Sequence, residues 1–151
     1  MLLFLYMRLL GIDYGEKKIG IAISDERAKF AFPRSAIDNS SANSVLNAVK
    51  IICDKNNIGK IILGQSLDFK GQPNVIMRRI GKFKSLLEEK TRIPVEYKNE
   101  ILTTKQAERK MAKTRPPPAS FRKKTKKNEK IHSSAASLIL QSYLDRKNML
   151  K

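Results

Sequence analysis

Three residues have the types and neighbours to hold a divalent cation: Asp13, Glu100 and His132. Asp13 ends the apolar run Leu9, Leu10, Gly11 and Ile12, the kind of run that is buried on both faces of a central strand. Side chains alternate along a strand, so Leu9, Gly11 and Asp13 share one face while Leu10 and Ile12 share the other. A carboxylate at the carboxyl end of a central strand lies where open α/β sheets usually bind ligands, and it needs a cation or hydrogen bonds to offset its desolvation. Backbone amides of a turn at Tyr14 and Gly15 would satisfy it equally well. Glu100 is the only acid between Glu96 and Glu108 and follows an expected strand. It suits either a second ligand or an exposed charge at a helix start. His132 precedes Ala135, Ala136 and Ile139 at spacings that put it on the inward face of a last helix, as a ligand or as a satisfied core histidine.

Composition narrows the chemistry further. Lysine and arginine number 31 against 14 acids, a formal net charge of +17, and such an excess opposes compaction unless a polyanion neutralises it. Nucleic acid is the favoured partner over an anionic membrane surface. There is no Walker lysine loop, no fingerprint of spaced glycines after a strand, no nucleophile elbow and no histidine pair for zinc, which removes most other enzyme classes. The single cysteine, Cys53, excludes an intrachain disulfide and a multi-thiolate zinc cluster; following Ile51 and Ile52, it reads as a core residue in a reducing compartment. The apolar start is interrupted by Arg8 and Asp13 well short of a membrane span and has no cleavage signal, so it reads as strand in a cytoplasmic protein.

The elements that would position these residues follow from patterning. Turn chemistry over Tyr14 to Lys18, followed by Ile19 to Ile23, predicts a hairpin, and a third strand is expected around 30–37. Val45, Leu46, Val49, Ile52 and Cys53 recur at helical spacing behind a cap at Ser40 or Ser41. Lys60 to Gly64 reads as a buried strand, 74–90 as a helix, Ile93 to Tyr97 as a fifth strand, and 103–112 as a further helix. From 113 to 130 the chain is rich in lysine and arginine and contains Pro116, Pro117 and Pro118; it reads as a mobile basic loop. Ser133 to Lys147 carries a broad apolar stripe and should dock as a helix. The expectation is one α/β domain over 1–151, a five-stranded mixed sheet with helices on both faces.

At this point the residues match a known pattern. Leu10 to Asp25 (LGIDYGEKKIGIAISD) closely resembles the opening of the YqgF family of pre-16S rRNA nucleases, whose members are also described as Holliday junction resolvases. Three further segments agree in order and spacing: Ile61 to Leu67 with Gly71, Val95 to Thr104, and Ala135 to Asp145. The opening motif alone is shared with actin-like and sugar-kinase phosphate loops, whereas the four together, over about residues 8 to 146, are specific.

The resemblance implies a ribonuclease H-like fold and divalent ions, Mg2+ or Mn2+ and normally two, held by acids from the first strand, an Asp-Glu-Arg motif and the start of the last helix. Asp13 fits the first position. The other two depart: the motif reads Asn99, Glu100, Ile101, and the last-helix aspartate is replaced by His132. By that resemblance Asp13, Glu100 and His132 form the catalytic and metal set. Lys17 and Lys18, with Arg122, Lys123, Lys124, Lys126 and Lys127, would grip phosphates, giving affinity and not sequence reading. The implied activity is a phosphodiester-cleaving endonuclease on structured nucleic acid, with the 5′ end of precursor 16S rRNA favoured and branched DNA an alternative. A non-catalytic nucleic-acid or ribosome-associated factor with a degenerate site is the rival reading. Ribosomal association and a homodimer are both compatible with the sequence.

Overall fold

The computed structural model describes residues 7–65, 75–99 and 124–149. The chain begins with the expected hairpin: β1 (Arg8–Tyr14) pairs antiparallel with β2 (Lys18–Ser24), with Asp13 opposite Gly20. Next comes β3 (Ala31–Asp38), antiparallel to β2 and shifted in register between Ile21 and Ala22. Helix α1 (Ala42–Asn56) starts where the Ser41 hydroxyl accepts a hydrogen bond from the Ser44 amide at 3.1 Å, and it ends at Asn57 in the left-handed conformation. Strand β4 (Ile58–Gln65), helix α2 (Met77–Thr91) and strand β5 (Val95–Asn99) complete the first part of the chain.

The sheet order is β3-β2-β1-β4-β5, with β1 central, β4 parallel to it, and β5 parallel to β4. Alternation along the central strands sorts the side chains as the sequence predicts. Leu10 and Ile12 join Ile19, Ile21, Ile61, Leu63 and the buried residues of α1 and α2 in one core. Leu9 joins Ala22, Ile62, Ala136, Ile139, Leu140 and Leu144 in a second core on the opposite face. The result is a five-stranded mixed sheet covered on both faces, the architecture of a ribonuclease H-like domain.

The last helix, α3 (Lys124–Met149), covers the second face. It corrects one expectation: residues 124–130, read from their charge as loop, are helical, so the helix begins well before Ser133. No glycine or proline occurs between 119 and 149, and lysine and glutamate are good helix formers. Repulsion between neighbouring like charges costs only about 0.2–0.5 kcal/mol per pair, too little to melt a helix anchored further along by buried residues. The rest of the basic segment, 113–123, and the helix expected at 103–112 lie outside the described residues.

Two glycines set how closely α3 lies on the sheet. A Cβ at Gly11 would stand 2.8 Å from Cβ of Leu140 and 2.9 Å from the Ala136 carbonyl oxygen. At Gly20 it would stand 2.0 Å from the carbonyl oxygen of His132, a distance no side chain can occupy. With Ala135 and Ala136 fully buried opposite them, these positions bring the helix backbone against β1 and β2.

Candidate metal centre

Asp13 stands one residue from the end of β1, 5% exposed, on the face covered by α3. Burial follows from its neighbours in the sheet: β2 and β4 flank β1, and α3 closes the face above. The turn after it is pinned by main-chain groups. Asn39 donates its amide N–H to the Lys17 carbonyl at 2.9 Å, and its side-chain Nδ2 donates to the Gly15 carbonyl at 2.9 Å. Tyr14, on the other face, packs against Phe83 of α2 with ring centroids 5.0 Å apart, which fixes the backbone beside the carboxylate from below.

The partner that α3 brings is His132. Its Nδ1 lies 3.7 Å from Oδ2 of Asp13, its Cε1 faces Gly15, and its backbone rests on Gly20. The separation exceeds a hydrogen bond, and Nδ1 is a buried atom with no hydrogen-bond partner among the described residues. A buried nitrogen left in that state costs free energy unless something fills the gap. Two ligand bonds of about 2.1 Å each reach about 4.2 Å end to end, so a carboxylate oxygen and an imidazole nitrogen 3.7 Å apart are spaced to share one ion. The donor set of one hard oxygen and one borderline nitrogen accepts manganese readily and magnesium less so. Among the described residues no group of three or more histidine, cysteine, aspartate or glutamate side chains gathers.

The remaining predicted residues are placed less completely. Glu100, Arg122 and Lys123 lie outside the described residues, and β5 ends at Asn99, the residue before Glu100. Glu96 bonds Tyr143 of α3, so the even positions of β5, Glu96 and Lys98, face the side that holds Asp13. Lys124, Lys126 and Lys127 lie in the first turns of α3. Lys17 is exposed at the β1–β2 turn, whereas Lys18 is ion-paired with Asp38 on β3, which draws it toward the strand and away from a purely phosphate-facing role. Gly15 falls in the turn expected after Asp13, whereas Gly20 and Asn39, which place the helix and pin that turn, are not singled out by the sequence patterns. An isolated glycine inside the strand pattern Ile19-Gly20-Ile21 is the available signal of close backbone approach.

Asp13, buried near the end of the central strand of this ribonuclease H-like sheet, is faced by His132 of the last helix, and the relatives of the chain define its class: a phosphodiester-cleaving nuclease. Within that class the family is clear. A model of the family described as "RuvX: Holliday junction resolvase" matches residues 7–146, and the chain belongs to that family. Among curated relatives, a "Putative pre-16S rRNA nuclease" from Caldanaerobacter subterraneus subsp. tengcongensis is 37% identical over 92% of this chain and 96% of its own. One of the same name from Syntrophus aciditrophicus is 34% identical over 92% of this chain and 89% of its own. Among solved structures, T. thermophilus RuvC bound to a Holliday junction superposes with a TM-score of 0.57 at 13% identity, covering 94% of this chain and 96% of that one. The fowlpox virus resolvase, in complex with Holliday junction DNA, gives 0.55 at 19% identity, covering 96% and 100%. At these identities the structural matches speak for the fold.

Proposed function

We propose that this protein is a metal-dependent endonuclease acting on structured nucleic acid in the cytoplasm, with the 5′ end of precursor 16S rRNA as its substrate. The observation that carries the proposal is the buried Asp13 carboxylate set 3.7 Å from an unpartnered imidazole nitrogen of His132 at the carboxyl end of the central strand. Asp13 and His132, joined by Glu100 beyond the end of β5, are the residues that would hold Mg2+ or Mn2+, two ions in the full site. Bound there, the metal would activate a water and stabilise the leaving oxygen of a phosphodiester.

The chain's own contribution is position and charge. β1 and the pinned turn fix Asp13, Gly20 lets α3 carry His132 down to it, and burial keeps the Asp13 carboxylate and the His132 Nδ1 atom from water, which strengthens their hold on a cation. Lys17, with Arg122, Lys123, Lys124, Lys126 and Lys127, would neutralise flanking phosphates. The names of the curated relatives favour ribosomal RNA and association with the ribosomal precursor. The family description favours branched DNA as the second reading. Incubating precursor rRNA, single-stranded RNA and four-way DNA junctions side by side with manganese or magnesium decides between them. Cutting of the precursor that is lost in Asp13→Asn is expected; junction cleavage alone would shift the substrate to DNA, and no cleavage of any of the three would leave a non-catalytic factor.

A further inference from the structure

On the face that holds Asp13 and His132, but toward the far end of α3, a cleft of about 260 Å³ opens between the helix and β5, lined by Glu96, Tyr97, Lys98, Tyr143, Arg146 and Lys147. Its acid is already committed. Glu96 Oε2 lies 3.2 Å from the Lys60 ammonium and accepts a hydrogen bond from the Tyr143 hydroxyl at 3.1 Å, and Lys60 in turn lies 3.2 Å from that hydroxyl. The Tyr143 hydroxyl and the Glu96 carboxylate hold Lys60 in its charged form, above the ordinary lysine range. Lys98, Arg146 and Lys147 remain, and none of them is ion-paired among the described residues. Three cations without an ion pair among the described residues, beside a tyrosine, make a wall that suits a group with both negative charge and a flat face.

We infer that this cleft is a second nucleic-acid contact, in which Lys98, Arg146 and Lys147 hold a backbone phosphate of the substrate strand while Tyr143 lies along its ribose or base. The inference rests on the proposed nuclease reading and adds a substrate dimension to it. From His132 to Tyr143 the helix advances about 17 Å, and to Lys147 about 22 Å, at about 1.5 Å per residue. A strand stacked as in a duplex, at about 3.4 Å per step, leaves the Asp13 site along α3 and reaches the cleft after about five to seven nucleotides, and an extended single strand reaches it after fewer. The protein then measures a minimum length of substrate beside the cut, with a phosphate grip at each end of one helix. A basic protein ligand fits less well, because the single carboxylate of the lining is neutralised within the fold.

The test is binding of fluorescein-labelled single-stranded RNAs from about four to about sixteen nucleotides to the full chain in EDTA, so that no cutting intervenes, over a range of salt. The wild type should gain affinity once the RNA is long enough to span the helix. The triple variant Lys98→Ala, Arg146→Ala, Lys147→Ala should lose that gain, and its slope of log affinity against log salt should fall by about 0.7, the amount expected when one phosphate of a single strand is no longer neutralised. A control lacking three other exposed cations, Arg34→Ala, Lys55→Ala, Lys90→Ala, should keep both the gain and the slope. Equal loss in the control would show a general effect of net charge and overturn the inference. So would a triple variant that behaves as the wild type while the wild type still cuts precursor rRNA; if the wild type neither binds nor cuts any RNA, it is the RNA-substrate reading on which the inference rests that has failed.

Discussion

Asp13 and His132 are far apart in sequence and meet at 3.7 Å, beyond a hydrogen bond, which leaves the His132 Nδ1 atom without a partner among the described residues. Replacing Asp13 by asparagine should abolish cleavage in a folded protein, as judged by an unchanged circular dichroism spectrum. On the proposed reading, histidine in place of the family's aspartate would alter metal preference. Imidazole is a poorer ligand for magnesium than a carboxylate is, so His132→Asp should strengthen magnesium binding in calorimetry, and His132→Ala should weaken manganese binding without unfolding the protein. If neither variant changes metal affinity, His132 is a packing residue. For the pair Asn99 and Glu100 the ranking matters: Glu100→Gln should lose most activity and Asn99→Ala should keep it, because an amide is the weaker ligand. Cys53 offers a check of an unrelated kind. Burial pushes its thiol up to about 12, so it stays protonated and should resist alkylating reagents at neutral pH until the fold opens.

At the scale of elements, the site depends on how α3 lies across β1 and β2. Gly20→Ala would drive a methyl into the His132 carbonyl, and the helix must shift or the strand distort. We expect a loss of about 1–3 kcal/mol in chemical denaturation, with cleavage falling further than stability because His132 moves with the backbone. Leu140→Ala, at a fully buried position on the inward face of the same helix, should cost about 2–5 kcal/mol and test the packing apart from the site. Much of this scale is legible in the sequence. The run Leu9 to Ile12 announces a central strand, its alternation assigns Asp13 to the correct face, and the spacing of Ala135, Ala136 and Ile139 assigns His132 to the inward face. The start of α3 is not legible from charge density, which argues for loop although nothing in that stretch breaks a helix. The role of Gly20 is not readable either, since its reason is the carbonyl of a residue more than a hundred positions away.

For the whole molecule, a net charge of +17 is the largest single property, and it acts at a distance that no local motif reports. Binding of duplex substrates should weaken steeply with salt. Removing Lys123, Lys124, Lys126 and Lys127 together should flatten that dependence by up to about 0.9 logarithmic units for each phosphate no longer neutralised. An unchanged slope would mean that this basic stretch does not touch the backbone. The most direct test of the central claim is a manganese titration followed by the electron paramagnetic resonance signal of the free ion. Saturable loss of that signal with the wild type, and its absence with a folded Asp13→Asn variant, is the predicted result; equal uptake by the two proteins would contradict a metal centre built on Asp13.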